Sequence, residues 1–364
     1  MDKPVKIKFG NIIFKIISSC LPVKKRVFFI GSLKDKLWDT SQIIHDNLDC
    51  EKKVHLWSLP HTIKDLISLS YYIMTSKVIV VDTPNIYFAY IKLKKQQKLV
   101  YVGHGCCGPF KKMGMDRESY NPYEEFCNDQ YDTFIVASDC ACNYYRTAYN
   151  INEEAFAKIG YPCVDSLIND PKEYEKEFYQ KYPDLINKKI ILYMPTFRLT
   201  DDSNDYLCDY DYEIDWDNLD EYLDESGYVF LIKRHPVMLQ NDIEIITKDY
   251  SNIIEVTDIS NYALMVASDL LITDYSAVFH EYLLLDKPII FYCPDFKKYS
   301  KLIGIYGKFP DEFPGTFCQS YGELINSINF DEDVDYSYYK ERTVKYCDGN
   351  STKNLLKIIN DYLE

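Results

Sequence analysis

The chain has 364 residues, 47% of them hydrophobic and 27% charged, with a net charge of −15 at neutral pH. That length exceeds a single compact core and implies two domains of an ordinary globular protein. The acidic balance excludes a broad nucleic-acid footprint, because binding the phosphate backbone needs a surplus of Lys and Arg.

Residues 1–26 break with the acidic whole: they carry a charge of +6 against −21 for the remainder. Within them Phe9, Ile12, Ile13, Ile16, Ile17 and Cys20 recur at helical spacing among Lys8, Asn11, Lys15 and Ser19. The pattern predicts a basic amphipathic helix in residues 1–25, too short and too interrupted to cross a bilayer. Such a helix suits an anionic membrane surface; packing on its own domain is the alternative.

From residue 26 apolar runs alternate with helical stretches. Strands are expected at 27–30, 54–59, 78–81, 99–102 and 134–136, with helices near 38–49, 62–76, 85–95 and 139–149. After an acidic, tyrosine-rich stretch around 165–187, strands are expected at 190–193, 229–232, 252–256, 270–272 and 288–292. Helices are expected near 215–226, 240–249, 260–267 and 276–285, and the chain closes with helices near 335–346 and 351–363. β-Branched runs alternating with helices imply parallel strands covered on both faces. The expected architecture is α/β: a first domain at 26–165, a second at 166–340, and a closing segment at 341–364 that could pack back across both. Two doubly wound halves with a cleft between them is the simplest arrangement, with ligands beyond the carboxyl ends of the strands.

Four polar clusters fall at such ends: Gly103-His104-Gly105, Pro195-Thr196-Phe197-Arg198, Lys233-Arg234-His235-Pro236 and Thr273-Asp274-Tyr275-Ser276. His104 stands between glycines that let a ligand approach the backbone, and a neutral imidazole suits a general base. Lys111 and Lys112 follow it and could neutralise phosphate. His235, held by Pro236 after a strand, suits an anionic leaving group beside Lys233 and Arg234. Thr273 and Ser276 precede a helix whose amino terminus would favour phosphate, or they serve only as its cap. Glu281, five residues on, could reach ribose hydroxyls.

The twelve cysteines sit in apolar runs such as Ile290-Phe291-Tyr292-Cys293 and read as reduced, buried thiols. Cys140-Ala141-Cys142 has the wrong spacing for zinc, and adjacent Cys106-Cys107 could form only a strained disulfide, so neither a metal nor a redox site is expected. Neither a phosphate-binding P-loop nor a Gly-x-Gly-x-x-Gly turn is present.

In order along residues 26–364 stand "HGCCGPFKKMG", "YMPTFR", "LIKRHP", "ITDYSAVFHEYLLLDKPIIFY", "FPGTF" and "DGNSTKNLLKII". This ordered set resembles the CDP-glycerol glycerophosphotransferase family of teichoic-acid synthesis enzymes. The resemblance implies a GT-B-like fold, two Rossmann-type domains facing a cleft. It also implies transfer of a polyol phosphate, glycerol phosphate foremost, from a CDP-activated donor to a hydroxyl of a lipid-linked or polymeric saccharide acceptor. CMP would be released, in teichoic-acid-like or capsule polymer synthesis at the inner membrane face. By the same resemblance His104 is the base and His235 lies near the donor phosphates. Thr273, Ser276, Arg198 and Lys111 bind those phosphates, and Glu281 and Asp274 hold the ribose. The CDP-polyol is a co-substrate; no separate cofactor and no metal is implied. This chain departs from the family at Gly103, where a tryptophan is usual, and has two extra residues between His104 and Lys111. The rivals are a GT-B sugar transferase or sugar-nucleotide epimerase using a UDP-sugar, and a non-catalytic polymer-binding or scaffold homologue.

Overall fold

The computed structural model describes residues 21–56, 62–83, 88, 91–103, 108–117, 130–199, 207–208, 210–330 and 334–364. The amphipathic helix expected in residues 1–25 falls almost entirely outside them. The protein is α/β with two parallel-sheet units, Met1–Asp165 joined by Arg342–Glu364, and Ser166–Glu341.

Among the described residues the first unit holds six strands, β1 (Lys24–Gly31), β2 (Glu51–Leu56), β3 (Ser76–Val81), β4 (Lys98–Tyr101), β5 (Thr133–Val136) and β6 (Phe156–Lys158). They pair in parallel in the order β2-β1-β3-β4-β5-β6. Val27 to Ile30 and Val78 to Val81 are buried without alternation, as strands covered on both faces require. Helix Ile63–Thr75 starts on a capping box in which Thr62 and Asp65 satisfy one another's backbone N–H groups. The closing helix Ser351–Leu363 belongs to this unit. Asp165 caps it from outside, taking the N–H groups of Ser351 (3.0 Å) and Thr352 (2.6 Å), and Lys77 donates to the Leu363 carbonyl at its far end.

The second unit holds β7 (Lys189–Met194), a short hairpin of β8 (Arg198–Leu199) and β9 (Leu207–Cys208), β10 (Tyr228–Ile232), β11 (Ile253–Glu255), β12 (Leu270–Thr273), β13 (Ile289–Tyr292) and β14 (Thr316–Cys318). Its main sheet is parallel throughout, in the order β11-β10-β7-β12-β13-β14. Strand order therefore reverses between β1 and β3 in the first sheet and between β7 and β12 in the second. Such switch points are where open α/β sheets bind ligands.

Three helices differ from expectation. Residues 91–95 are not helical. There the Gln130 side chain donates to the carbonyls of Phe88 (2.7 Å) and Ile91 (2.9 Å) and accepts from the Leu93 N–H, so a side-chain amide satisfies the backbone in place of a helical ladder. The helix expected at 240–249 lies instead at Pro236–Gln240. The proline sets its start, because its fixed φ is pre-organised for the first helical position, and Asp242, at a φ of 53°, follows its end. The helix expected at 276–285 is reduced to Phe279–Tyr282 followed by a 3-10 turn, Leu283–Leu285. Conversely, the tyrosine-rich stretch after 165 is helical at Asp165–Asn169 and Pro171–Lys181.

Candidate functional site

The carboxyl ends of β10, β7, β12 and β13 lie side by side, so the loops that follow them assemble at one edge of the second sheet. Asp274, just beyond β12, is 1% exposed and sits at the switch point. Its Oδ1 accepts from the backbone N–H groups of Thr196 (2.8 Å) and Tyr275 (2.6 Å), and its Oδ2 from Arg198 Nη1 (2.7 Å). The Thr273 hydroxyl donates to the Met194 carbonyl at 2.8 Å, a second stitch between β12 and β7.

Arg198 is 5% exposed. Its Nε and Nη2 fork onto the two oxygens of Asp295, at 2.7 and 3.1 Å, and its Nη1 also donates to the Thr196 carbonyl at 2.6 Å. Four tyrosine rings surround the guanidinium: Tyr210, Tyr275, Tyr299 and Tyr212, with centroids 4.7, 5.0, 5.1 and 5.5 Å away. Tyr275 and Tyr299 stack at 3.7 Å, and the Tyr275 hydroxyl donates to Asp295 Oδ1 at 2.9 Å. Burial, then the neighbouring charged groups, pushes the Tyr275 and Tyr212 phenols well above their usual range; both stay neutral donors. Burial opposes the Arg198 charge, and the two carboxylates more than restore it.

His235 is half-buried at the start of its helix, where Nδ1 accepts from the Val237 N–H at 3.2 Å. In the neutral ring the proton then resides on Nε2. Its ring tilts against Phe197 at 4.9 Å, which joins the β10 loop to the β7 loop. The adjacent cations face elsewhere. Arg234 pairs with Glu255 and donates to the Ile243 carbonyl, and Lys233 donates to the carbonyls of Thr257 and Ile259. Ser276 is half-buried, its Oγ accepting from the Val278 N–H at 3.4 Å. Glu281 is buried and accepts from the Tyr262 hydroxyl at 3.3 Å.

Of the sequence-predicted residues, Arg198 and Asp274 thus share one network, with His235 joined through Phe197, while the Thr273 hydroxyl bonds the Met194 carbonyl beside it. His104, Cys106 and Cys107 lie outside the described residues. Lys111 is half-buried in the first unit, on the connection from β4 to β5. Gly103 has a φ of +71°, and a Cβ there would stand 2.7 Å from Tyr161 Cε1. The Tyr161 ring fills the space that a larger residue at 103 would enter. Sequence reasoning missed Asp295, whose only signal is its place after the apolar run of β13. It also missed Lys287, which donates to the carbonyls of Val266 (2.5 Å) and Ser268 (2.6 Å) at the end of helix Asn261–Ala267. Burial lowers the Lys287 pKa to about 8. Among the described residues no group of three or more His, Cys, Asp or Glu could hold a metal ion, and no helix is long and apolar enough to cross a membrane.

A family model described as CDP-Glycerol:Poly(glycerophosphate) glycerophosphotransferase matches residues 24–361. A teichoic acid glycerol-phosphate primase of Bacillus subtilis is 34% identical over 82% of this chain and 77% of its own length. A teichoic acid ribitol-phosphate primase of Bacillus spizizenii is 28% identical over 100% of this chain and 98% of its own. Among solved structures, the wall teichoic acid polymerase TagF superposes with a TM-score of 0.77 at 21% identity, covering 99% of this chain and 95% of that one. A UDP-GlcNAc 2-epimerase of Methanocaldococcus jannaschii shares the fold more distantly, with a TM-score of 0.54 at 13% identity over 92% of this chain and 99% of its own.

Proposed function

The chain belongs to the CDP-glycerol:poly(glycerophosphate) glycerophosphotransferase family, and from that membership we propose its reaction. It is a phosphotransferase that moves a polyol phosphate from a CDP-activated donor in teichoic acid synthesis. Glycerol phosphate is the polyol proposed here, and a lipid-linked or polymeric saccharide the acceptor. An acceptor hydroxyl gives its proton to His104 and attacks the β-phosphorus of the donor. The new P–O bond forms on the acceptor, the bond to the CMP oxygen breaks, and CMP leaves with the electron pair. Nε2–H of His235 donates to the donor phosphates, with Ser276 and Lys111 binding them, Thr273 bracing the turn through the Met194 carbonyl, and Glu281 on the ribose. Positioning and electrostatics supply most of the rate, as in phosphoryl transfer generally. The scheme routes no step through a metal ion, so activity is expected to survive EDTA. We read the two units as GT-B-like, and the +6 amino-terminal segment as a peripheral contact with the inner face of the membrane. Loss of vesicle binding on deleting residues 1–22 would support that contact, and its retention would remove it.

The observation that carries the reading is a family match that runs through both units, from residue 24 to 361. The test is a donor panel of CDP-glycerol, CDP-ribitol and UDP-sugars, scored by release of CMP or UDP. CMP release from CDP-glycerol is expected. Turnover confined to UDP-sugars, or none with any donor, would overturn the proposal. CDP-ribitol is the second reading, because the ribitol-phosphate primase aligns with the whole chain.

A further inference from the structure

We propose that Arg198 is a positioning residue, one that ties three strand ends together at the second switch point without touching the donor. The inference rests on the reaction proposed above. The guanidinium already donates four hydrogen bonds: two to Asp295, one to Asp274 and one to the Thr196 carbonyl. Two carboxylates surround one cation, so the cluster is net negative and would repel a diphosphate. Tyrosine rings occupy the surroundings of the guanidinium that the carboxylates leave open.

What the cluster does is mechanical. Arg198 follows β7, Asp274 follows β12 and Asp295 follows β13. One guanidinium pulling on both carboxylates fixes the separation of the three loops. Asp274, held on one oxygen by Arg198, presents the other to the N–H groups of Thr196 and Tyr275. That sets the backbone of the turn carrying Thr273 and Ser276. A planar fork suits this work, because only Arg can engage two carboxylates and a carbonyl in fixed directions.

The experiment compares Arg198→Lys, Arg198→Met, Asp295→Asn and the Arg198→Met/Asp295→Asn double variant with the wild type. Each is measured for kcat and for CDP-glycerol Kd, and for amide exchange of Thr196 and Tyr275 without donor. Positioning predicts that both Met and Asn variants lose kcat, by about 100-fold for Arg198→Met, through misplacement of the reacting groups. Donor Kd weakens to a similar degree in Arg198→Met, Arg198→Lys and Asp295→Asn, because the turn carrying Thr273 and Ser276 loosens in each. The double variant is no worse than the poorer single one, and the two amides exchange faster in every variant. Arg198→Lys keeps the charge yet recovers little kcat. A direct phosphate contact splits the variants instead. Asp295→Asn would then tighten donor binding by releasing the cation, Arg198→Met would weaken it, and Arg198→Lys would rescue; that pattern overturns the inference. Unchanged amide exchange in a folded Arg198→Lys protein also overturns it, whatever the donor proves to be. A wild type that neither binds nor turns over any CDP-polyol sinks the reaction instead, and leaves the exchange result to decide the role of Arg198.

Discussion

The two switch points are built on one device and developed to different degrees. In the first sheet Asp82, fully buried just beyond β3, takes the Ser32 N–H beyond β1 on its two oxygens at 3.1 and 3.0 Å. In the second, Asp274 takes the Thr196 N–H across the corresponding gap. One carboxylate suffices to register two diverging strand ends, and it does so by satisfying an amide that the sheet leaves over. The second switch point adds Arg198 and Asp295, both nearly buried. Removing three charges from water costs several kcal/mol per ion unless the geometry is well satisfied. The bidentate fork, the tyrosine hydroxyl and the ring faces offset that cost here. Costly buried charge at a ligand-binding edge is a pattern of functional sites. The contrast separates a unit proposed to grip the donor from one that carries the proposed base in the glycine-rich sequence after β4.

The largest expected effect tests that division directly. His104→Ala should cut CMP release by about 10²–10⁴-fold, the range of general acid–base contributions, while calorimetric binding of CDP-glycerol stays intact. Full activity would dissolve the assignment of chemistry to the first unit. Next, the two aspartates should differ in weight. Asp274→Ala leaves Arg198 paired with Asp295 but takes the acceptor from the Thr196 and Tyr275 N–H groups and from Arg198 Nη1, at about 1–3 kcal/mol for each group left unsatisfied. Asp82→Ala should cost about 1–3 kcal/mol in all, both read from urea unfolding. Equal costs would mean that the Tyr275 and Arg198 bonds add nothing to the second switch point.

A pH-dependent effect belongs to the second unit alone. His280 is 3% exposed, its two ring nitrogens have no hydrogen-bond partner among the described residues, and burial lowers its pKa from 6.5 to about 3. Between those pH values the unfolded imidazole holds a proton that the folded one lacks, so stability falls as pH falls, by about 1.4 kcal/mol per unit. Below about 3 both states are protonated and the slope from this group ends. His280→Phe should flatten the acid limb in thermal melts across this range; an unaltered limb would assign it to other groups. Smallest of all, Asp165→Ala should cost about 1 kcal/mol through loss of a cap. It should lower the melting of the first unit alone, because Asp165 anchors that unit's closing helix.

The alternation of strands and helices was legible because fully buried parallel strands are continuous apolar runs. Val78 to Val81 and Ile190 to Tyr193 could scarcely be anything else. Helix limits were legible where a local cap marks them, as at Ser138 and Gly227. They were illegible where a distant side chain intervenes, as Gln130 does at residues 91–93. In the proposed site, the motifs mark neighbouring strand ends of the second sheet and could not say which side chains pair with one another there. Lys233-Arg234-His235 reads as one cationic cluster, yet the two cations bind Glu255 and carbonyls beyond β11. Lys287 reads as one more charge and is a helix cap.

By itself the sequence determined the fold class, the alternation of strands and helices and the family, since each rests on local periodicity and on motifs read in line. Only the tertiary structure decided the partners of the charges. Arg198 meets Asp274 and Asp295, respectively 76 and 97 positions away, because β7, β12 and β13 are neighbours in the sheet. An ion pair depends on distance through space, which separation along the chain does not encode.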